Sequence, residues 1–282
     1  DLNNDGAIDM GNNGNLEVAG DINNKSTGTI DLGTGGMIVG NGDLNNDHLI
    51  DLGIGGEISI KGNINNNVTG TIDLGDNGKL GANGKIENKG LLKGDGMIDG
   101  IFNNYGTVEV SNKADGSNGS ITFDKGLNNY KDIYISNTSS KTAGNKVVVN
   151  GNYTGHADSA VYMNVDLGSD TTSRVDQMII TGHAGGSTVL HLNDLGNVTA
   201  ALTSQLGVKL IDVGTSDAKA FKLSSAFLKG AYEYTLHRND ADQDWYMTSY
   251  GSGSQSPDMR PDVGNIFGNV GSIIGSQVPG YG

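Results

Sequence analysis

Apolar residues in the first hundred positions come in short alternating pairs. Ile8 and Met10, Ile30 and Leu32, Ile50 and Leu52, and Ile72 and Leu74 each stand two apart. Such spacing puts both members of a pair on one side of an extended chain. The residue between them is Asp each time (Asp9, Asp31, Asp51, Asp73), which is expected to face solvent. A further aligned apolar set is Leu16, Ile38, Ile58 and Leu80. No 3.6-residue period runs through this region, so it predicts short strands rather than helices. The pattern also repeats. Asp1-Leu2-Asn3-Asn4 returns as Asp21-Ile22-Asn23-Asn24, Asp43-Leu44-Asn45-Asn46 and Asn63-Ile64-Asn65-Asn66, with weaker copies at Lys85-Ile86-Glu87-Asn88 and Ile101-Phe102-Asn103-Asn104. The starting positions 1, 21, 43, 63, 85 and 101 step by 20, 22, 20, 22 and 16 residues.

Self-similarity at this period is the mark of a solenoid. One such unit cannot bury its apolar face alone, so stacking supplies the core. Leucine-rich repeats and parallel β-helix rungs share this length, and the chain lacks the helical half of a leucine-rich repeat. Each unit therefore reads as a β-helix rung of about three short strands joined by Gly/Asn turns. The aligned Asn4, Asn24, Asn46, Asn66, Asn88 and Asn104 admit two readings. Asn tolerates the left-handed backbone of a sharp corner. Stacked at the spacing of neighbouring strands, Asn amides also hydrogen-bond to one another as a ladder. The 46 glycines fit corners of positive φ.

Residues 1–150 form the repeat, with a polar loop near 111–120. The phrase returns beyond it as Leu127-Asn128-Asn129-Tyr130. From 151 to 250 the texture changes. Strands are predicted at Ala160–Leu167, Arg174–Ile180, Ser187–Asn193, Val208–Val213, Ala220–Leu223, Ala231–Leu236 and Asp244–Thr248. Residues 251–282 read as a linker followed by a weak, glycine-interrupted helical pattern.

The block 151–249 resembles the C-terminal part of bacterial autotransporter passengers of the pertactin-like and AIDA-like type. The segments that carry the resemblance occur in order: Gly151-Asn152-Tyr153-Thr154-Gly155, Ser173 with Asp176 and Ile179-Ile180, Gly186-Ser187-Thr188-Val189, Gly207 to Val213, Phe221-Lys222-Leu223, Gly230 to Leu236, and Trp245 to Ser249. Arg260-Pro261 is similar to the dipeptide that opens the linker into the translocating barrel. The resemblance implies an all-β fold, a right-handed parallel β-helix solenoid with a C-terminal β cap. It further implies that 151–250 is an autochaperone, a folding template, with Tyr153, Phe221, Gly230, Tyr232, Tyr234, Trp245 and Tyr246 as its core. The implied partners are the protein's own translocator barrel and the outer-membrane assembly machinery. The implied location is the surface or outer membrane of a Gram-negative cell, or the medium after cleavage.

Charge and chemistry narrow the function further. The formal net charge is −14 and no basic stripe exists, which excludes a nucleic-acid partner. There is no cysteine, so disulfides, thiolate metal sites and thiol catalysis are out, as suits a chain that crosses a periplasm unfolded. The repeat is already running at residue 1, so a longer parent protein is expected. Asp1-x-Asn3-x-Asp5-Gly6-x-Ile8-Asp9 matches a calcium loop through its ninth position, but Asn12 stands where a bidentate acid belongs. The repeat explains these residues without a metal. No cofactor or catalytic residue is assigned. The expected role is a surface-displayed passenger stalk whose C-terminal region templates folding, within an adhesin, autoaggregation or biofilm factor that meets host matrix, glycan or its own copies. The alternative is a carbohydrate-cleaving β-helix enzyme, which would need two carboxylates across a groove.

Overall fold

A computed structural model describes residues 1–137 and 139–251. The C-terminal linker and helical pattern lie outside the described residues beyond Gly251. Among the described residues there is no helix; twenty-nine strands form the fold.

Each early rung contributes three strands, the first rung being Leu2–Asn4, Ala7–Asp9 and Asn15–Val18. Every strand pairs in parallel with its counterpart one rung on, which builds three faces. On the first face the inward register runs Leu2, Ile22, Leu44, Ile64, Ile86, Phe102, Leu127 and Tyr153. On the second it runs Ile8, Ile30, Ile50, Ile72, Leu92, Val108, Ile133, Val161 and Leu190. On the third it runs Leu16, Ile38, Ile58, Leu80, Ile98, Phe123, Val149, Ile180 and Val213. The first and third faces fuse where Gly78–Asn88 and Gly96–Asn104 turn the corner as continuous strands. These rows converge on one core, with Ile30, Ile50, Ile64 and Leu80 wholly buried. The chain is a parallel β-helix.

The repeated Asp and Gly have a local cause. Asp9, Asp31, Asp51 and Asp73 each accept a hydrogen bond from the backbone N–H two residues on, at 2.8–2.9 Å. Their partners Gly11, Gly33, Gly53 and Gly75 hold φ of 59–63°, a left-handed conformation that glycine adopts without a Cβ clash. Asp9 is exposed, but Asp31, Asp51 and Asp73 are half-buried in this turn rather than simply solvated. Gly28 and Gly70 serve a different end. A Cβ at either would sit 2.3 Å from an interior Asn oxygen, so these glycines make room for the side chains described next.

Parallel stacking continues through Phe221–Leu223 on the second face. The third face ends differently. Val208–Ser216 pairs antiparallel with Trp245–Gly251, which pairs antiparallel with Tyr232–Arg238, and that strand with Phe227–Lys229.

Candidate functional site: the interior ladder and the C-terminal cap

None of the aligned Asn residues has a left-handed backbone; among the described residues the asparagines that do are Asn13 and Asn77. Asn4, Asn24, Asn46, Asn66, Asn88 and Asn104 instead end the first-face strands and point into the core, each at most 6% exposed. Their amides form one chain. Asn4 Nδ2 donates to Asn24 Oδ1 at 2.9 Å, Asn24 to Asn46 at 2.8 Å, Asn46 to Asn66 at 2.8 Å, Asn66 to Asn88 at 2.8 Å, and Asn88 to Asn104 at 2.9 Å. Asn129 extends the chain, accepting from Asn104 at 2.9 Å. The second hydrogen of each amide goes to a backbone carbonyl of the following rung: Thr29, Leu49, Thr71, Leu91, Thr107 and Asp132 in turn. Buried amides without partners would each cost about 1–3 kcal/mol, so the chain must be complete to be tolerated.

It terminates on hydroxyls. Asn129 Nδ2 donates to Ser159 Oγ at 2.7 Å. Ser159 Oγ, Tyr153 OH and Thr188 Oγ1 lie 2.8–3.0 Å from one another and are all buried. Burial raises the Tyr153 phenol above its ordinary range, against the pull of these hydrogen bonds. Gly155 occupies the register position opposite Asn129, and a Cβ there would meet Thr188 Oγ1 at 2.1 Å. The triangle thus fits only where the Asn repeat gives way to glycine.

Beyond it the core turns aromatic. Tyr153 stacks on Phe221 with centroids 5.9 Å apart, and Phe221 meets Trp245 edge-on at 5.5 Å. Trp245 is 4% exposed and its Nε1 donates to Ser216 Oγ at 3.2 Å. Ser216 is clamped in turn by Arg238, whose Nε and Nη2 donate to its Oγ and carbonyl. Tyr234 is fully buried; its hydroxyl donates to the Ala201 and Gly168 carbonyls and accepts from Ala201 N–H. Tyr232 is half-buried on the same strand. Gly230, with φ of 58°, opens the two-residue turn between Phe227–Lys229 and Tyr232–Arg238, where a positive φ suits the twist of a hairpin. Tyr246 points the other way from Trp245. Its hydroxyl donates to Asp242 at 2.8 Å, and Lys209 lies over its ring at 5.7 Å.

The sequence-predicted residues thus fall in two places. Tyr153, Phe221 and Trp245 form one interior column, with Tyr234 buried behind the loop around Ala201. Tyr246, Tyr232 and Gly230 belong to the outer sheet.

Charges here act as loop anchors. Asp176 is buried and accepts three backbone N–H bonds, from Gly144, Asn145 and Asn164, at 2.7–3.0 Å. Burial raises its pKa and these bonds oppose the rise. Asp244 accepts from Val213 N–H at 2.7 Å and pairs with Lys209. Burial works against the Lys209 charge, but Asp244 and Asp212 hold the ammonium well above its usual range. Asp95 and Asp166 likewise bind backbone N–H groups of neighbouring loops. The calcium-like run is engaged elsewhere: Asp1 accepts from Asp21 N–H, and Asn3 from Asn23 Nδ2. His183 contacts Thr215 and Asp217, whereas His191 stacks on Tyr162 of the second face, so the two do not meet.

Sequence reading missed three features. Asn129 belongs to the phrase Leu127-Asn128-Asn129 but was not placed with the other ladder residues. Ser159 and Thr188 give no local signal, being tied only by register. The short strand Phe227–Lys229 has no alternation that would reveal it.

Comparisons with known proteins converge on the same end. Residues 127–236 match the family model described as Autochaperone Domain Type 1. That span includes Asn129, the hydroxyl triangle, Phe221 and Tyr234, and stops short of Trp245. An uncharacterised Escherichia coli K12 protein, YdeU, is 36% identical over 126 residues, 43% of this chain and 26% of that protein. The autotransporter adhesin AIDA-I of Escherichia coli is 32% identical over 140 residues, 48% of this chain and 10% of the adhesin. The adhesin BmaC autotransporter of Brucella suis is 32% identical over 115 residues, 36% of this chain and 3% of that protein. The chain therefore spans a minor part of these relatives. A parallel β-helix leads into the autochaperone match, and the relatives include autotransporter adhesins, so the chain is similar to the C-terminal region of an autotransporter passenger.

Proposed function

We propose that residues 151–250, with Asn129 at their border, template the folding of the preceding rungs, and that the shaft of residues 1–150 is a non-enzymatic stalk displayed at the surface of a Gram-negative cell. The carrying observation is the aromatic, antiparallel-covered end that lies largely within the autochaperone match. A solenoid grows by adding units to an existing one, and this end offers a finished core on one side and an open parallel edge on the other. The parent protein is read as an adhesin or aggregation factor, in line with the names of the adhesins AIDA-I and BmaC. Its own translocator barrel and the outer-membrane assembly machinery are the partners during secretion. Host matrix, glycan or self-association would follow display.

Chemical denaturation of the chain, followed by Trp245 fluorescence and far-UV circular dichroism together, tests the template. The Trp245 signal is expected to survive to higher denaturant than the bulk β signal. Loss of Trp245 first, or together with the rest, overturns it.

A further inference from the structure

The corner between the second and third faces changes along the chain. In the first three rungs it is closed by the short runs 10–14, 32–36 and 52–56; further on it is spanned by the longer segments 111–119, 135–145, 167–176 and 195–207. These segments hold one another in place. Asn112 Nδ2 donates to Thr142 Oγ1 at 3.4 Å, and Asn164 Nδ2 to the Ser140 and Thr142 carbonyls at 3.3 and 3.2 Å. The backbone N–H and Nδ2 of Asn197 donate to the two oxygens of Asp166 at 2.8 and 3.0 Å. Between the segments opens a hollow of about 700 Å³, lined by Lys141 and Arg174, by the hydroxyls of Thr142, Thr171 and Thr172, and by Asp166. Lys141 and Arg174 are exposed and form no salt bridge among the described residues. A second hollow of about 310 Å³ lies on the second face, where the rings of Tyr134, Tyr162 and His191 stack with centroids 4.2 and 4.5 Å apart. Asn164 lines this second hollow and also holds the Thr142 carbonyl, so the two hollows are neighbours.

We propose that the two hollows form one binding site for an acidic oligosaccharide, a chain of sugars bearing carboxylates. The proposal deepens the adhesin reading and rests on it. Small ligands occupy concave sites of this size in which a few polar groups converge. The formal net charge of −14 disfavours contact with an anion in general, so attraction must be local, and two cations without carboxylate partners supply it. The planar guanidinium of Arg174 suits a carboxylate through two parallel hydrogen bonds, while the Lys141 ammonium acts as a point charge. Threonine hydroxyls both donate and accept, as sugar hydroxyls do. The ring column offers apolar surface to the C–H groups of a neighbouring sugar. The opposing charge in the hollow is Asp166, which is 4% exposed and already accepts two bonds from Asn197, so little of it faces a ligand. The hydrogen bonds between segments keep the ordering cost of binding low. The same residues speak for binding rather than cleavage: Asp166 is the single carboxylate among the described residues that line the larger hollow, and glycoside hydrolysis uses a pair.

The test is calorimetric titration of the full chain with tetrasaccharides of hyaluronan and of alginate, and with neutral cellotetraose. At least one acidic tetrasaccharide is expected to bind, and added salt should weaken it. Binding of hyaluronan points to a host matrix as the source of the ligand, and binding of alginate to a bacterial exopolymer. Lys141→Gln and Arg174→Gln should each weaken binding about tenfold, as fits one lost charge-assisted hydrogen bond, with circular dichroism unchanged because both side chains are exposed. Tyr162→Ala should weaken it about threefold through lost apolar contact. Failure of both acidic sugars to bind, equal binding of cellotetraose, or unchanged affinity in these variants overturns the site. Beads coated with the chain separate this from the adhesin reading. Adhesion to matrix or clumping that persists in the Lys141→Gln, Arg174→Gln double variant overturns the site and leaves the adhesin reading standing. Native beads that neither adhere nor clump remove the adhesin reading from this region, and the site with it.

Discussion

The shaft and the C-terminal region of this molecule solve the same problem with different chemistry. In the shaft, aliphatic rows of Ile and Leu fill a core whose cross-section repeats, and each rung adds one amide to a continuous chain. At the C-terminal end the same column passes to Tyr153, Phe221 and Trp245, the amides give way to hydroxyls, and the strands reverse direction. A repeating unit is satisfied only by another like itself, whereas an end must satisfy its groups without one. Large rings with one polar atom suit that task, since they fill the open lumen and anchor their edges on a few fixed partners.

Four changes probe this contrast. The largest effect is expected for Trp245→Ala, which empties the terminal position of the aromatic column and removes one donor from Ser216. A loss of about 3–5 kcal/mol fits a buried Trp truncation, and equilibrium denaturation followed by circular dichroism would measure it. A loss below about 1 kcal/mol would mean that the end is not sealed there. Ile50→Ala in the middle of the shaft should cost about 2–4 kcal/mol. Its mark should be an earlier circular-dichroism transition with the Trp245 transition unmoved; a matching shift in both would show that shaft and cap unfold as one.

Alkaline pH separates the regions more finely. Burial and the hydrogen bond to Asp242 push the Tyr246 phenol up to about 12, from an ordinary value of 10.0. The folded state therefore holds this proton more tightly than the unfolded chain. The resulting stabilisation is full below pH 10 and declines as pH rises towards 12. Lys209, also raised, loses its contribution in the same sense at higher pH. Tyr246→Phe should flatten the fall in cap stability between pH 10 and 12, read from Trp245 fluorescence, and leave the shaft unchanged. The smallest effect is expected for Ile54→Ser. Ile54 is 53% exposed at a shaft turn, and its replacement should move stability by no more than about 0.5 kcal/mol, checked by the same denaturation curve.

Much of the shaft was legible because a repeat states its own register. Aligning Ile8 with Ile30, Ile50 and Ile72 in sequence also aligns them in space, and the pairs at i and i+2 mark the inward side. The same alignment placed the Asn column but left its conformation open, since a corner and a ladder both favour Asn. The deciding fact, burial, depends on the whole cross-section. The meaning of Asp31 was half hidden for the same reason: its carboxylate serves Gly33 two residues on, a local turn disguised as a solvent-facing position. At the C-terminal end the period dissolves. Ser159 and Thr188 are brought together by strands 29 residues apart, and Asp176 reaches loops 12 to 32 residues away. Without a repeat to fix register, no local pattern points to such contacts.

The reversal of strand direction on the third face bears on how copies of the molecule can line up. Parallel edges are templates on which like strands stack, and a β-helix open at both ends is a unit from which fibres grow by head-to-tail addition. Here Val208–Ser216 is already covered by Trp245–Gly251 running the opposite way. A second copy presenting its first rung to that face would meet a mismatched strand and an occupied hydrogen-bonding edge. On the third face the last described strands therefore leave no free parallel edge on which a like rung could stack.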